Sequence, residues 1–274
     1  MEAITKLTKD LKNAAITLTK DEARYLVDLY YQIQDCRIRA AGQIRAIEKG
    51  TDSAATHETL DFFLNQFEGL ESQIQRALGT YAASQRPGRW LKSICGIGPV
   101  ISAGILANID ITKAQHPQQL WKFAGIANPS VEVWEKGKKR PWNAAFKTLL
   151  VFKAGESFVK VQNNDKDFYG KLFAERKALY TKKNESGAFR EKCEGILAKK
   201  KWKKDTDAYK AYSEGIYPKA HIHAMARRYA VKIFLSHVHH VIFESHYGNP
   251  PAKPYVIDIM GHSDYIAPPN WPCE

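Results

Sequence analysis

The tetrapeptide Gly96-Ile97-Gly98-Pro99 stands between two apolar runs, Leu91–Cys95 and Val100–Ile109, and constrains this chain more than any other stretch. Glycines on both sides of one apolar residue permit a tight turn and a close backbone approach. Proline suits the first position of the helix that follows. Leu91–Ile109 is therefore predicted as a helix-hairpin-helix, with Val100, Ala103, Leu106 and Ala107 on the inner face of its second helix. Amides left free at such a turn and helix N-terminus can receive a phosphate. A plain αα-hairpin with a glycine-rich turn would show the same pattern.

Charge weighs between those readings. The chain carries 41 basic and 29 acidic residues, a formal net charge of +12, and a sequence pI near 9.4. Such a balance favours an anionic partner, of which a nucleic-acid backbone is the commonest, over a merely soluble basic protein. With 274 residues, 44% of them apolar, the chain is long enough for one large or two ordinary domains with a real core. No apolar run approaches the ~20 residues needed to span a bilayer. The N-terminal MEAITKLTKDLKNAA has no apolar centre between its charges and does not read as a signal peptide. Cys36, Cys95, Cys193 and Cys273 are scattered without CxxC spacing. They argue for a reducing compartment and against a zinc ribbon, so a cytoplasmic, nucleoid-associated location is expected.

Residues 1–18 read as loosely ordered, after which Thr19 and Glu22 fit a capping box. A first apolar seam follows through Leu26, Leu29, Ile33, Cys36, Ala40 and Ile47. A second runs through Leu60, Phe63, Phe67, Leu70, Ile74, Ala77 and Tyr81. Two seams of near-heptad period joined by a short polar loop predict an antiparallel coiled-coil-like hairpin, either a dimerisation arm or two ordinary packed helices. Arg86-Pro87-Gly88-Arg89 is read as a domain boundary. A short helix is expected at Gln118–Phe123, then a small β-hairpin or extended basic loop over 128–143, then helix again at Ala144–Val161. Phe168–Tyr217 is basic and helical in tendency. Its AKKKWKKD run at Ala198–Asp205 is either a solvated helix face or a phosphate-contacting patch with Trp202 stacking or packing. Ala220–Tyr247 is a strong apolar helix whose Arg227-Arg228 pair reaches out of the core, and the tail holds six of the twelve prolines with one short strand at Tyr255–Ile259. The expected fold is mainly α, in three parts: residues 1–83, 84–161 and 162–274.

His221, His223, His237, His239, His240 and His246 share that last helix, but no acidic or cysteine ligand stands at matching spacing and HExxH is absent. They read as helix-face histidines, with no metal and no cofactor expected. Carboxylates that converge on Mg²⁺ from strand ends are also missing, which disfavours a metal-dependent nuclease on this chain alone.

The order of motifs resembles the C-terminal domain of the DEDD-type insertion-sequence transposases, the family that also contains the Piv and MooV DNA invertases. The resemblance rests on Gly96-Ile97-Gly98-Pro99 with Ala103, then Leu120–Ile126, then the basic Lys136–Arg140, then Asn143 with Phe146, Lys147 and Leu149. It implies a DNA-binding domain that, in the family, follows a RuvC-like domain with four acidic residues and a coiled coil. The family also uses a nucleophilic serine in a Ser-Gly pair before the basic loop, and some members are directed by a structured RNA. Here only something like the coiled coil precedes the motif. No serine stands at Glu135–Gly137, and Ser130 is the nearest candidate nucleophile.

The resulting expectation is backbone recognition of DNA, or of structured RNA, by a homodimer or higher oligomer. Gly96, Ile97 and Gly98 would hold a phosphate with Lys92 nearby. Lys136, Lys138, Lys139, Arg140, Asn143 and Lys147 would form a second contact, and Lys199, Lys200, Lys201, Lys203 and Lys204 a third. Two alternatives remain: an active recombinase subunit whose RuvC-like partner chain supplies the acidic residues, and a non-catalytic RNA-binding or protein-interaction module.

Overall fold

Thr19 and Glu22 start the longest helix as the capping box requires. The Thr19 amide donates to Glu22 Oε2 at 2.7 Å and the Glu22 amide to Thr19 Oγ1 at 3.2 Å. The computed structural model describes residues 8–50, 58–127, 134–135, 137–199, 202–252 and 265–273. Among them the fold is mainly α, with no strand. The expected strand at Tyr255–Ile259 and residues 128–133 and 136 of the expected β-hairpin or extended loop lie outside the described residues. The chain divides into two compact units.

The first unit comprises residues up to Ser93, Ile97–Ile111 and the last residues from Asn270. It begins earlier than the sequence suggests, because α1 (Lys9–Ala14) is capped by Thr8 and runs into a 3-10 turn at Ala15–Thr17. Next come α2 (Lys20–Gly50), α3 (Glu58–Ala83), α4 (Arg86–Ser93) and α5 (Pro99–Asn108). Helices α2 and α3 pack on each other and both pack on α5. That third helix moves the α2 seam from its predicted line. Its buried residues are Ala23, Val27, Tyr30 and Ile44, while Cys36 and Ile47 are exposed. The α3 seam holds at Ile74 and Tyr81, but its first half carries Leu60, Phe63 and Leu70 to the surface. Polar groups join the middle of the arm: Arg37 Nε donates to Glu71 Oε2 at 2.5 Å and Gln34 Nε2 to Glu71 Oε1 at 2.9 Å. Burial pushes the Glu71 carboxyl up, and these donors overcome it and hold the group below the ordinary value.

Arg86–Arg89, read from the sequence as a domain boundary, forms the first turn of α4. Glycine is needed there because a Cβ at position 88 would lie 1.9 Å from the Ala82 carbonyl oxygen and 2.9 Å from Leu106 Cδ1. Helix α5 is buried around most of its girth. Its terminal carbonyls are held by α2, with Arg24 Nη1 donating to Ala107 O at 2.7 Å and Lys20 Nζ to Ile109 O at 2.6 Å. Cations at a helix C-terminus also suit its dipole.

The second unit contains Ile94–Gly96 and Thr112–Pro269. Its helices are α6 (Pro117–Phe123), α7 (Ala144–Thr148), α8 (Gly155–Val161), α9 (Tyr169–Glu185), α10 (Arg190–Ala198), α11 (Asp207–Ser213) and α12 (Lys219–Tyr247). The expected helix Ala144–Val161 is continuous, but Leu149–Ala154 is wound as a π-helix between α7 and α8. The spacing explains the change. Phe146, Leu150, Ala154 and Phe158 are all fully buried. A four-residue repeat drifts by about 40° per step on a regular α-helix, which has 3.6 residues per turn. The wider π turn cancels that drift and keeps all four side chains on one line. Helix α12 packs on α6, on the π segment, on α8 and on α9. It ends at Gly248, which takes a left-handed φ of 79°.

A smaller core holds Phe189, Cys193, Tyr212, Tyr217 and Ile222. Trp202 packs against it, and its indole Nε1 donates to Ile196 O at 3.3 Å.

Candidate nucleic-acid interface

The hairpin turn divides its work between the two glycines. Gly96 has φ +85°, and a Cβ there would stand 2.9 Å from Ser157 Oγ and 3.3 Å from Val161 Cγ2. Its carbonyl accepts the Ser157 hydroxyl at 2.5 Å. Glycine at this position is therefore required by backbone and packing together. Gly98 is the N-cap of α5 with an ordinary extended backbone, φ −88° and ψ 178°, no capping side chain and Pro99 behind it. Nothing lies within 4 Å of the place a Cβ would occupy. Its surroundings are thus open, and the first-turn amides of a helix have no intrahelical partner by construction. Ile97 is 5% exposed, so its side chain anchors the turn and only its backbone could meet a ligand.

Pro99 also lines a cleft of about 790 Å³ together with Lys12, Arg76 and Lys92. No carboxylate lines that cleft. Of these three cations only Lys92 stands next to the hairpin motif in the sequence. Arg76 and Lys12 lie on helices with no motif and could be placed beside the hairpin only by the fold.

The second group of predicted residues sits in the other unit. Of the basic loop, Ser130 and Lys136 lie outside the described residues. Residues 131–133 lie outside as well, and the described remainder, Trp134, Glu135 and 137–142, holds a tight turn. Lys138 N donates to Glu135 O at 3.2 Å, the Lys138 ammonium pairs with Glu135 at 3.0 Å, and Trp134 Nε1 donates to Lys138 O at 2.8 Å. Two indoles brace it, Trp134 and Trp142, with centroids 5.9 Å apart. Trp142 lies against Gly125, whose φ of +63° and crowded Cβ position leave no room for a side chain. Arg140 lies over the Trp134 ring at 5.5 Å and Lys147 over the Trp142 ring at 4.7 Å. Lys139 is exposed. Asn143 serves as the N-cap of α7, accepting the Phe146 amide at 2.9 Å.

Lys147 opens into a pocket of about 500 Å³ whose other cations, Arg227, Arg228 and Lys232, come from α12. Val151, Phe152, Tyr180 and Tyr229 supply apolar and aromatic walls, and no carboxylate lines it. Arg227 is paired outside the pocket with Glu156. Burial, then Arg228 and Arg140, holds the Lys147 ammonium below its ordinary value; burial and Arg228 do the same to Lys232. Lys232 could not have been found from the sequence, since it stands alone in an apolar helix.

Of the lysine run, Lys200 and Lys201 lie outside the described residues, while Lys199, Lys203 and Lys204 are exposed around an inward-facing Trp202. The histidines do not converge. Tyr169 O–H lies 2.8 Å from His237 Nδ1, and His237 Nε2 lies 2.8 Å from Ile266 O. Since a carbonyl only accepts, Nε2 carries the proton and Nδ1 accepts the phenol of a neutral imidazole. Burial pushes the His237 pKa down to about 4. His239 reaches Ala114 O at 2.8 Å, and His240 pairs with Glu244. No group of metal-ligating side chains gathers among the described residues. Nor is any helix there long and apolar enough to cross a membrane.

Residues 88–169 match the family described as Transposase IS116/IS110/IS902. That stretch contains the hairpin, the indole-braced turn and the π-wound helix, and it marks this part of the chain as a transposase-type domain. Searches of curated proteins and of solved structures returned no match.

Proposed function

We propose that this protein binds DNA through its backbone, with the hairpin as the first contact. The observation that supports this most is the open N-terminus of α5 beside the cleft of Lys12, Arg76 and Lys92, which carries positive charge and no carboxylate. Backbone amides with flanking cations suit a phosphate, and the family match gives that phosphate a context. Lys139 and Arg140 make a second basic surface in the other unit, and Lys199, Lys203 and Lys204 an outlying third.

Binding of the full chain to labelled duplex DNA should weaken with salt, with a slope near −0.9 in log–log terms for each phosphate contact. Lys92→Gln should flatten that slope by about one contact. Affinity that does not respond to salt overturns the proposal. Competition by structured RNA would move the target to RNA, and competition by heparin alone would reduce the binding to charge.

Strand-transfer activity would need Ser130 as nucleophile and a RuvC-like partner chain for the acidic residues. A covalent protein–DNA adduct that disappears in Ser130→Ala would establish it. We further infer self-association through the far end of the α2–α3 arm. Ile38, Ile47, Leu60, Phe62, Phe63 and Leu70 are exposed there. The α2 portion carries Arg39, Arg45 and Lys49, and the α3 portion Glu58, Asp61 and Glu68. Two copies packed with α2 against α3 would cover the apolar side chains and pair opposite charges.

A further inference from the structure

The pocket under α12 has a composition that duplex backbone contact does not call for. A phosphate ridge needs cations on an exposed surface. Here Lys147 and Lys232 are half-buried, Arg227 Nε is buried with no hydrogen-bond partner among the described residues, and aromatic rings line the same space. Phe152 is the unusual member. It is 53% exposed, although it belongs to a helix whose neighbouring apolar residues Leu149, Leu150, Val151 and Ala154 are buried. It stands within the π-wound turn, and the Arg227 guanidinium covers one side of its ring at 5.2 Å. Tyr229, by contrast, is already covered by Arg176 at 3.6 Å. The pocket therefore offers an aromatic face backed by a guanidinium, beside Lys147, Arg228 and Lys232, with no carboxylate among its lining residues.

We propose that this pocket receives one unpaired nucleotide, its phosphate held by Lys147, Arg228 and Lys232 and its base stacked on Phe152. About 500 Å³ lies within the roughly 300–1,000 Å³ range of pockets that enclose a small ligand. Stacking on an aromatic side chain with cations along the backbone is the physical basis of single-strand binding. It tolerates any base, because every base has a π face. A paired base in a duplex has both faces occupied by its neighbours, so the site distinguishes single-stranded from duplex nucleic acid. Anion entry would also relieve the repulsion that Arg228 exerts on Lys147 and Lys232. The inference rests on the nucleic-acid reading above but names a different site and a different form of the ligand.

The test is fluorescence anisotropy of the full chain with three probes at one salt concentration: a thymidine oligonucleotide, an abasic oligonucleotide of equal length, and a duplex. Phe152→Ala should weaken thymidine-oligonucleotide binding by about 5- to 140-fold, the equivalent of one stacked base. Abasic and duplex binding should be unchanged, and Phe152→Tyr should retain the wild-type value. Arg228→Gln should weaken the thymidine and abasic probes together. Because Phe152 and Arg228 are exposed, neither variant should fail to fold. Equal wild-type affinity for thymidine and abasic probes, or thymidine binding indifferent to Phe152→Ala, overturns the pocket while leaving duplex binding by the hairpin intact. Loss of every probe's binding in wild-type protein overturns both. A uridine oligonucleotide run in parallel identifies the sugar the strand carries, and its binding must show the same dependence on Phe152.

Discussion

The two glycines of the hairpin should respond to substitution in opposite ways. Alanine at position 96 must hold φ at +85°, a left-handed conformation that costs an L-residue about 1–2 kcal/mol. Its methyl must also displace Ser157 Oγ from 2.9 Å and Val161 Cγ2 from 3.3 Å, which disturbs the 2.5 Å hydroxyl–carbonyl contact with Gly96. Losing that hydrogen bond adds about 1 kcal/mol, so Gly96→Ala should destabilise the chain by about 2–3 kcal/mol. Position 98 needs no special φ and has no neighbour within 4 Å of a Cβ. Gly98→Val should therefore cost little folding stability, but it places a branched side chain in front of the α5 amides. If those amides hold a phosphate, losing one hydrogen bond to a charged group costs about 1.5–3 kcal/mol, or roughly 10- to 140-fold in duplex affinity. Denaturant unfolding followed by circular dichroism reads the first effect, and gel-shift titration of the same two proteins reads the second. A Gly98→Val protein that binds duplex DNA like wild type removes the hairpin from the binding surface. A Gly96→Ala protein with an unshifted unfolding midpoint refutes the argument from the turn's geometry.

Acid should weaken the second unit through His237. Its pKa is about 4 in the folded chain and near 6.5 when unfolded, so the unfolded state binds more protons between those values. Stability is then fully present above about pH 6.5 and is lost as pH falls toward 4, by up to about 3 kcal/mol. Urea midpoints across that range should show the slope, and His237→Gln, which cannot titrate, should flatten it. Trp202→Ala should lower the melting temperature by removing a partly buried ring from the Phe189–Tyr217 core, at a cost of about 2 kcal/mol. Its affinity for oligonucleotides should be unchanged; weakened binding at full folding would mean that the indole stacks on a base after all. Phe63→Glu at the far end of the arm should shift sedimentation from an associated species to the monomer, and wild-type protein that is monomeric at every concentration refutes the arm as an interface.

Local signals in this chain were readable where one residue type answers one geometric demand. The Thr19–Glu22 capping box, proline at the start of α5 and Asn143 at the start of α7 all stand where the structure uses them. The near-heptad seam of α2 misled because period alone does not reveal how many neighbours a helix has. With α3 and α5 both against it, the buried line runs through Ala23, Val27 and Tyr30. Gly88 stands in the segment read as a domain boundary, and its close approach to Ala82 lies across a turn that no spacing encodes. The lysine run left Trp202 open between stacking and packing, and the aromatic group of Phe189, Tyr212 and Tyr217 against which it packs is assembled from separate helices. The pocket illustrates the same limit. Lys147 was visible in a motif, while Arg228 and Lys232 acquire meaning only when α12 lies across the π-wound helix.

Helix α12 also bears on how far the transposase-type segment stands alone. The match ends at residue 169, yet the residues at its end are completed from beyond it. Phe158 meets Phe234 at 5.2 Å, Tyr169 meets Phe234 at 5.1 Å, and the Tyr169 hydroxyl is satisfied by His237. Each of these buried aromatics contributes about 1.5–3 kcal/mol only while α12 covers it. The buried residues Ala226, Ala230 and Phe234 recur every four positions, and so do Arg228 and Lys232, two positions out of phase. Two residues turn a helix through about 200°, so the packing line and the basic line lie on nearly opposite faces. One face closes the core of the matched segment while the other delivers cations to Lys147 and Phe152. Changes at Arg228 or Lys232 should accordingly alter binding without loosening Phe158 and Tyr169, whereas changes at Phe234 should unfold the unit before any effect on binding could be read.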